Sequence, residues 1–192
     1  MKKEGQVRSF TRVIVLVVAT LLLIGAAPAA IGRSHSLKAT FEGPTNPPIR
    51  DEGAVAARCP DGSEWIFGGF GTGTMTSAVY TGGFVYENDH CSRWVAFDPE
   101  RSTGRYVGKA AAGIMTVTTP AGDEFVLEYD GTWVFEGSLA GAPPEFVADI
   151  NMRYTIVGGT GVFAEASGNG RLFVTGGIYL TGLINGSLHV SG

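Results

Sequence analysis

From Glu64 onward the chain alternates apolar and polar residues with a period of two. "EFVLEY" sets Phe125, Leu127 and Tyr129 on one face and Glu124, Val126 and Glu128 on the other. "TWVFEGSL" sets Trp133, Phe135 and Leu139 against Glu136 and Ser138, and "GIYLTGLI" aligns Ile178, Leu180 and Ile184. This is the pattern of half-buried strands, and no stretch beyond residue 30 keeps a helical period for more than about two turns. Turn dipeptides separate the runs: Asp130-Gly131, Gly176-Gly177 and Asn185-Gly186, with Pro120-Ala121-Gly122-Asp123 as a fourth turn. The spacing predicts strands near 64–72, 79–86, 91–97, 113–119, 123–129, 132–139, 145–157, 168–175, 178–184 and 187–191, the last two merging if Asn185-Gly186 is not a tight turn. A sheet of that many consecutive antiparallel strands hides its edges by closing on itself. The expected fold is all-β, an antiparallel up-and-down β-barrel of about eight strands at residues 56–192, with a β-sandwich as the alternative.

The N-terminal region has a different pattern. Lys2, Lys3, Arg8 and Arg12 precede an apolar run from Val13 to Ile24, and Ala27-Pro28-Ala29 supplies a small-x-small cleavage pattern. Residues 1–30 therefore read as a secretory signal peptide, and the mature chain as secreted or extracytoplasmic. As an uncleaved anchor the segment has a poor second half, Gly25 to Ala30. Residues 31–55 ("EGPTNPPIRDEG" among them) read as a flexible Pro/Gly-rich arm with at most a short strand at Lys38–Glu42.

Composition sharpens this picture. The 192 residues include 29 glycines and only 17% charged side chains. Losing Lys2, Lys3, Arg8, Arg12 and Glu4 with the signal moves the formal charge from −4 to about −7. An acidic chain whose remaining lysines are Lys38 and Lys109 repels phosphate backbones, so no nucleic-acid partner is expected. No membrane association is expected after signal cleavage, and nothing specifies an oligomeric state. Cys59 and Cys91, the only cysteines, are expected to form a disulfide in an exported chain.

"IVGGTGVFAEASGNG" (Ile156–Gly170) raises the question of a phosphate loop. Such a loop must open a helix, and here only Val162–Ala166 precedes the next glycines, without a Lys-Ser or Lys-Thr pair. The stretch therefore reads as a tight corner, with Gly158, Gly159, Thr160 and Gly161 turning the chain and Phe163 plugging the barrel end. It resembles the GGTG corner of allene-oxide-cyclase-like and dirigent-like β-barrels, especially their secreted bacterial members of undefined role. "GFGTGTMTSAVYTGGFVYENDHC" and "GIMTVTTPAGDEFVLEYDGTW" are similar to other parts of those proteins. The resemblance covers about residues 56–192 and implies an eight-stranded barrel with a lumen for an apolar ligand. It also implies cofactor-free cyclisation, or steering of radical coupling, as activities found in the plant members. Their catalytic residues match nothing here residue by residue, and Val162 stands where the family usually has arginine or lysine.

Candidate chemistry is sparse. Tyr129, Trp133, Phe135, Tyr154 and Tyr179 are candidate ligand-lining residues, because a small-molecule site in a barrel is an apolar cavity with a few orienting polar groups. Alternation turns Glu128 and Glu136 toward solvent. His35, His90 and His189 share no ligand spacing, so neither a metal nor a cofactor is expected. The leading expectation is a secreted barrel that binds a hydrophobic small molecule or a surface partner without catalysis. A cofactor-free cyclase or isomerase and a structural envelope protein are the alternatives.

Overall fold

A computed structural model describes residues 34–96, 103–138 and 145–190. The segment read as a signal peptide lies outside them. Eight antiparallel strands run in chain order: β1 (Ser34–Pro44), β2 (Trp65–Thr76), β3 (Thr81–Ala96), β4 (Thr103–Thr118), β5 (Glu124–Ser138), β6 (Glu145–Gly159), β7 (Gly168–Gly176) and β8 (Tyr179–His189). Each pairs with its neighbour, and β1 pairs with β8 from Ser34↔His189 to Pro44↔Tyr179, closing the barrel. The fold is the closed up-and-down barrel rather than the sandwich.

Inward positions carry the core. On β5 these are Phe125, Leu127, Tyr129 and Trp133, all buried, and on β6 they are Ala148, Ile150, Met152, Tyr154 and Ile156. Glu128, Glu136 and Asp149, which alternate with them, are exposed. Many glycines face inward because a flat ring lies on them. A Cβ at Gly108 would fall inside the ring of Trp133, one at Gly113 inside Tyr129, and one at Gly182 inside Phe41.

Several sequence expectations are corrected. Residues 34–44, assigned to a flexible arm, form the first barrel strand; Pro44 ends it, and Pro47 and Pro48 follow it. Part of the remainder is a short helix, α1 (Glu52–Arg58), whose first turn is capped by Asp51 Oδ1 accepting from the amides of Gly53 and Ala54. Asp130-Gly131 is not a turn. β5 runs straight through it, and Gly131 is small because β6 backbone at Asn151 and Met152 approaches closely. Asn185-Gly186 likewise lies within β8, so the two C-terminal runs are one strand. Pro120–Asp123 and Gly176-Gly177 do connect consecutive strands.

The glycine corner closes one end of the barrel. Gly158 and Gly159 end β6, and after Thr160 a single 3-10 turn, Gly161–Phe163, drops the Phe163 ring to full burial against Phe125, 5.0 Å away between centroids. The Thr160 hydroxyl accepts from the Glu124 amide (3.1 Å) and ties the corner to β5. At Gly161 φ is +55°, and a Cβ there would collide with the Asp123 carboxylate, so this position requires glycine.

Candidate functional site

The opposite end of the barrel is hollow. A cavity of 540 Å³ opens there, walled by Phe41, Trp65, Phe67, Tyr86, Trp94, Tyr129, Trp133, Phe135 and Phe146, with Met115, Met152 and Leu172 deeper in. None of the described residues lining it is Asp, Glu, Lys or Arg. All three tryptophans of the chain stand on its wall. The volume falls within the usual range for small-molecule sites, and apolar walls with a few polar groups are their usual chemistry.

A strap crosses the mouth. Residues 45–49 leave β1 and are held at both sides by backbone hydrogen bonds. The Thr45 amide donates to the Ile178 carbonyl (3.1 Å), the Asn46 amide to Gly68 (2.9 Å) and the Ile49 amide to Ile66 (2.9 Å). Thr45, Asn46, Pro47 and Pro48 all line the cavity. Beyond them the Arg50 guanidinium packs over the Trp65 ring at 4.9 Å.

The polar groups of the lumen come from β3. Its inward row is Phe84, Tyr86, Asn88, His90, Ser92 and Trp94; its outward row includes Asp89 and Cys91. Opposite His90 the β4 ladder slips between Ala110 and Gly113, and Ala112 takes a positive φ of 50°. This bulge lets β4 turn Ala110 inward on one side and Gly113 and Met115 inward on the other, leaving room for Tyr129 to lie across Gly113. The Tyr129 hydroxyl gathers three contacts: Asn88 Nδ2 donates to it (2.9 Å), it donates to the Asp89 carbonyl (3.1 Å), and His90 Nδ1 lies 3.1 Å away. The hydroxyl has one proton, and the Asp89 carbonyl takes it. The arrangement that satisfies every contact therefore puts a proton on His90 Nδ1, which donates to the tyrosine oxygen. Nε2 is left as a lone pair with no hydrogen-bond partner among the described residues, while Phe67 stacks on the ring at 6.2 Å.

Burial fixes these groups as neutral. It pushes His90 down to about 4, with Arg58 adding to the fall and Asp89 opposing it. His90 is half-buried and borders the cavity. Burial raises Tyr129 well above the ordinary tyrosine range, and takes Tyr86, also on the wall, up to about 12.

Outside the barrel, α1 braces β3 directly behind His90. Val55 of the helix and Ile66 of β2 are buried, and Cys59 is bridged to Cys91 as the sequence predicts. Arg58 makes a two-pronged ion pair with the Asp89 carboxylate (2.6 and 2.7 Å).

Of the sequence candidates, Tyr129, Trp133 and Phe135 line the cavity, and the Trp133 indole donates to Ser92 Oγ (3.2 Å). Two candidates do not. Tyr179 is 56% exposed, because the parity that turns Leu180 and Ile184 inward turns Tyr179 out. Tyr154 is buried but lies outside the lining. Its hydroxyl fits over the paired Gly170 and Gly186, has no hydrogen-bond partner among the described residues, and is pushed up to about 12 by burial. Sequence reasoning missed Asn88 and His90. The usable signal was adjacency: a Cys91 that bridges outward forces its neighbour His90 inward.

Among the described residues no three His, Cys, Asp or Glu side chains gather as metal ligands. No helix there is long and apolar enough to cross a membrane. No family model, curated protein or solved structure matches the chain, so the fold and the lumen themselves carry the functional argument.

Proposed function

We propose that this is an exported barrel protein that binds a neutral hydrophobic small molecule in its lumen and does not transform it. The observation that carries this reading is the 540 Å³ cavity walled by aromatic rings, with no charged side chain among its described lining residues. The disulfide is consistent with export, since such bonds persist in oxidising compartments. The cavity counts against a solid, purely structural barrel.

The cyclase alternative would rest on the Tyr129–His90 pair, and the electrostatics weigh against it. A general base at neutral pH needs a pKa near 7, and His90 sits near 4. A general acid needs to release its proton readily, and Tyr129 is shifted the other way. Both groups suit fixed hydrogen bonding better than proton transfer. The test uses the wall itself. Because Trp65, Trp94 and Trp133 all border the cavity, titration with a panel of apolar compounds should alter tryptophan emission saturably, and native mass spectrometry should show one ligand per chain. Unchanged emission across the panel, with a clean unliganded mass, would remove the binding reading. Conversion of a bound compound would reinstate the enzyme.

A further inference from the structure

The polar end of the lumen says more about the ligand than its volume does. His90 Nδ1–H is committed to the Tyr129 hydroxyl, which Asn88 and the Asp89 carbonyl hold in place, so turning the ring breaks its hydrogen bond to an anchored partner. Phe67 stacks on the ring, and the brace of α1 on Asp89 and Cys91 fixes the backbone on either side. What the histidine offers inside the cavity is Nε2, a group that only accepts. The Tyr86 hydroxyl on the same wall can both donate and accept, and so does not discriminate. Resting on the lumen reading above, we infer that His90 Nε2 is the specificity anchor of the cavity, selecting neutral apolar ligands that carry a hydroxyl over equally apolar hydrocarbons and over carboxylates.

The physical argument has two parts. A ligand hydroxyl donating to Nε2 replaces the hydrogen bond it loses from water, whereas a hydrocarbon filling the same space strands a buried acceptor. A carboxylate brings oxygen lone pairs against the Nε2 lone pair, in a cavity whose described lining holds no Lys or Arg to offset its desolvation. The shift of His90 to about 4 keeps it from charging at neutral pH and attracting the acid after all.

Three compounds of matched shape separate the cases: adamantanemethanol, ethyladamantane and adamantanecarboxylate, titrated into the full chain at neutral pH with tryptophan emission as the readout. The alcohol is expected to bind roughly fivefold to tenfold tighter than the hydrocarbon, and the carboxylate weakest. In His90→Phe, which keeps a ring beside Phe67, the alcohol's advantage should shrink to within about twofold, the range left once one net hydrogen bond is gone. Nitrogen NMR of the native protein checks the premise without any ligand, and should show the proton of His90 on Nδ1. Equal binding of alcohol and hydrocarbon overturns the inference and leaves the lumen reading standing. So does an alcohol preference that survives in His90→Phe, a carboxylate that binds tightest, or a proton found on Nε2. Failure of all three compounds to bind removes both.

Discussion

Gly108→Ala tests the claim that inward glycines are floors for aromatic rings. A Cβ at Gly108 would overlap several atoms of the Trp133 indole, whereas ordinary contact begins near 3.4 Å. The ring would have to move by on the order of 1 Å, and overpacking of that kind costs about 1–3 kcal/mol. Trp133 has little freedom to yield. It packs edge-on to Trp94 at 4.7 Å, stacks on Phe135 at 4.6 Å, and donates to Ser92 at 3.2 Å. Breaking the last contact strands a buried N–H and adds another ~1–3 kcal/mol, so the substitution should cost about 2–6 kcal/mol in total. Gly83→Ala is the control. There the nearest atom to a new Cβ is the Gly73 carbonyl oxygen at 3.7 Å, and the change should be neutral or stabilise by up to ~1 kcal/mol, because alanine is the better strand residue. Denaturant melts of both variants, and of Gly108→Ala combined with Trp133→Leu, complete the test. The smaller side chain should restore at least ~1 kcal/mol of the loss, as expected for residues in contact. If Gly108→Ala melts like Gly83→Ala, or the double variant is simply additive, the glycine is not there for the ring.

Two further outcomes follow from the braced strand. His90 is held neutral near 4 in the folded protein and titrates near 6.5 when unfolded. Between those values the unfolded chain binds the extra proton, so stability should fall as pH drops from about 6.5 to about 4, by at most ~3 kcal/mol, and level off below. Melts of native protein and His90→Phe across that window isolate the component, and an identical slope in both would refute it. Reducing the Cys59–Cys91 bridge, whose ends are 32 residues apart, should cost about 3–4 kcal/mol on the chain-entropy model. Melts with and without reductant measure it, and a loss under ~1 kcal/mol would mean that the reduced chain is already constrained.

Much of the barrel was legible because alternation is a local property. Phe125, Leu127, Tyr129 and Trp133 declare the inner face of β5 without help. Two of the failures share a physical cause: small residues at inward positions. Tyr106, Gly108 and Ala110 all face in, but Gly108 is small because Trp133 fills its space from the next strand and Ala110 is small too, so the first half of β4 showed no apolar period. Gly131 looked like half of a turn, and its size serves a close backbone approach instead. The site was harder to read than the fold for a related reason. His90 matters through the Tyr129 hydroxyl 39 positions away, a contact made by barrel curvature and a bulge. Tyr179 and Tyr154 were chosen by residue type, and their parity and depth decide otherwise.

The pairing of β1 with β8 has a consequence for how the chain acquires its structure. Seven of the eight seams join consecutive strands and can zip up as each hairpin emerges. The eighth joins Ser34 to His189 and must wait for the C-terminal strand. Until then two unpaired rims are on display, and both carry bare backbone donors and acceptors able to recruit another chain. A polypeptide of this design is therefore safest when its last strand arrives promptly. Loss of that strand would open the ring rather than merely shorten it, turning a self-contained molecule into one with two adhesive margins.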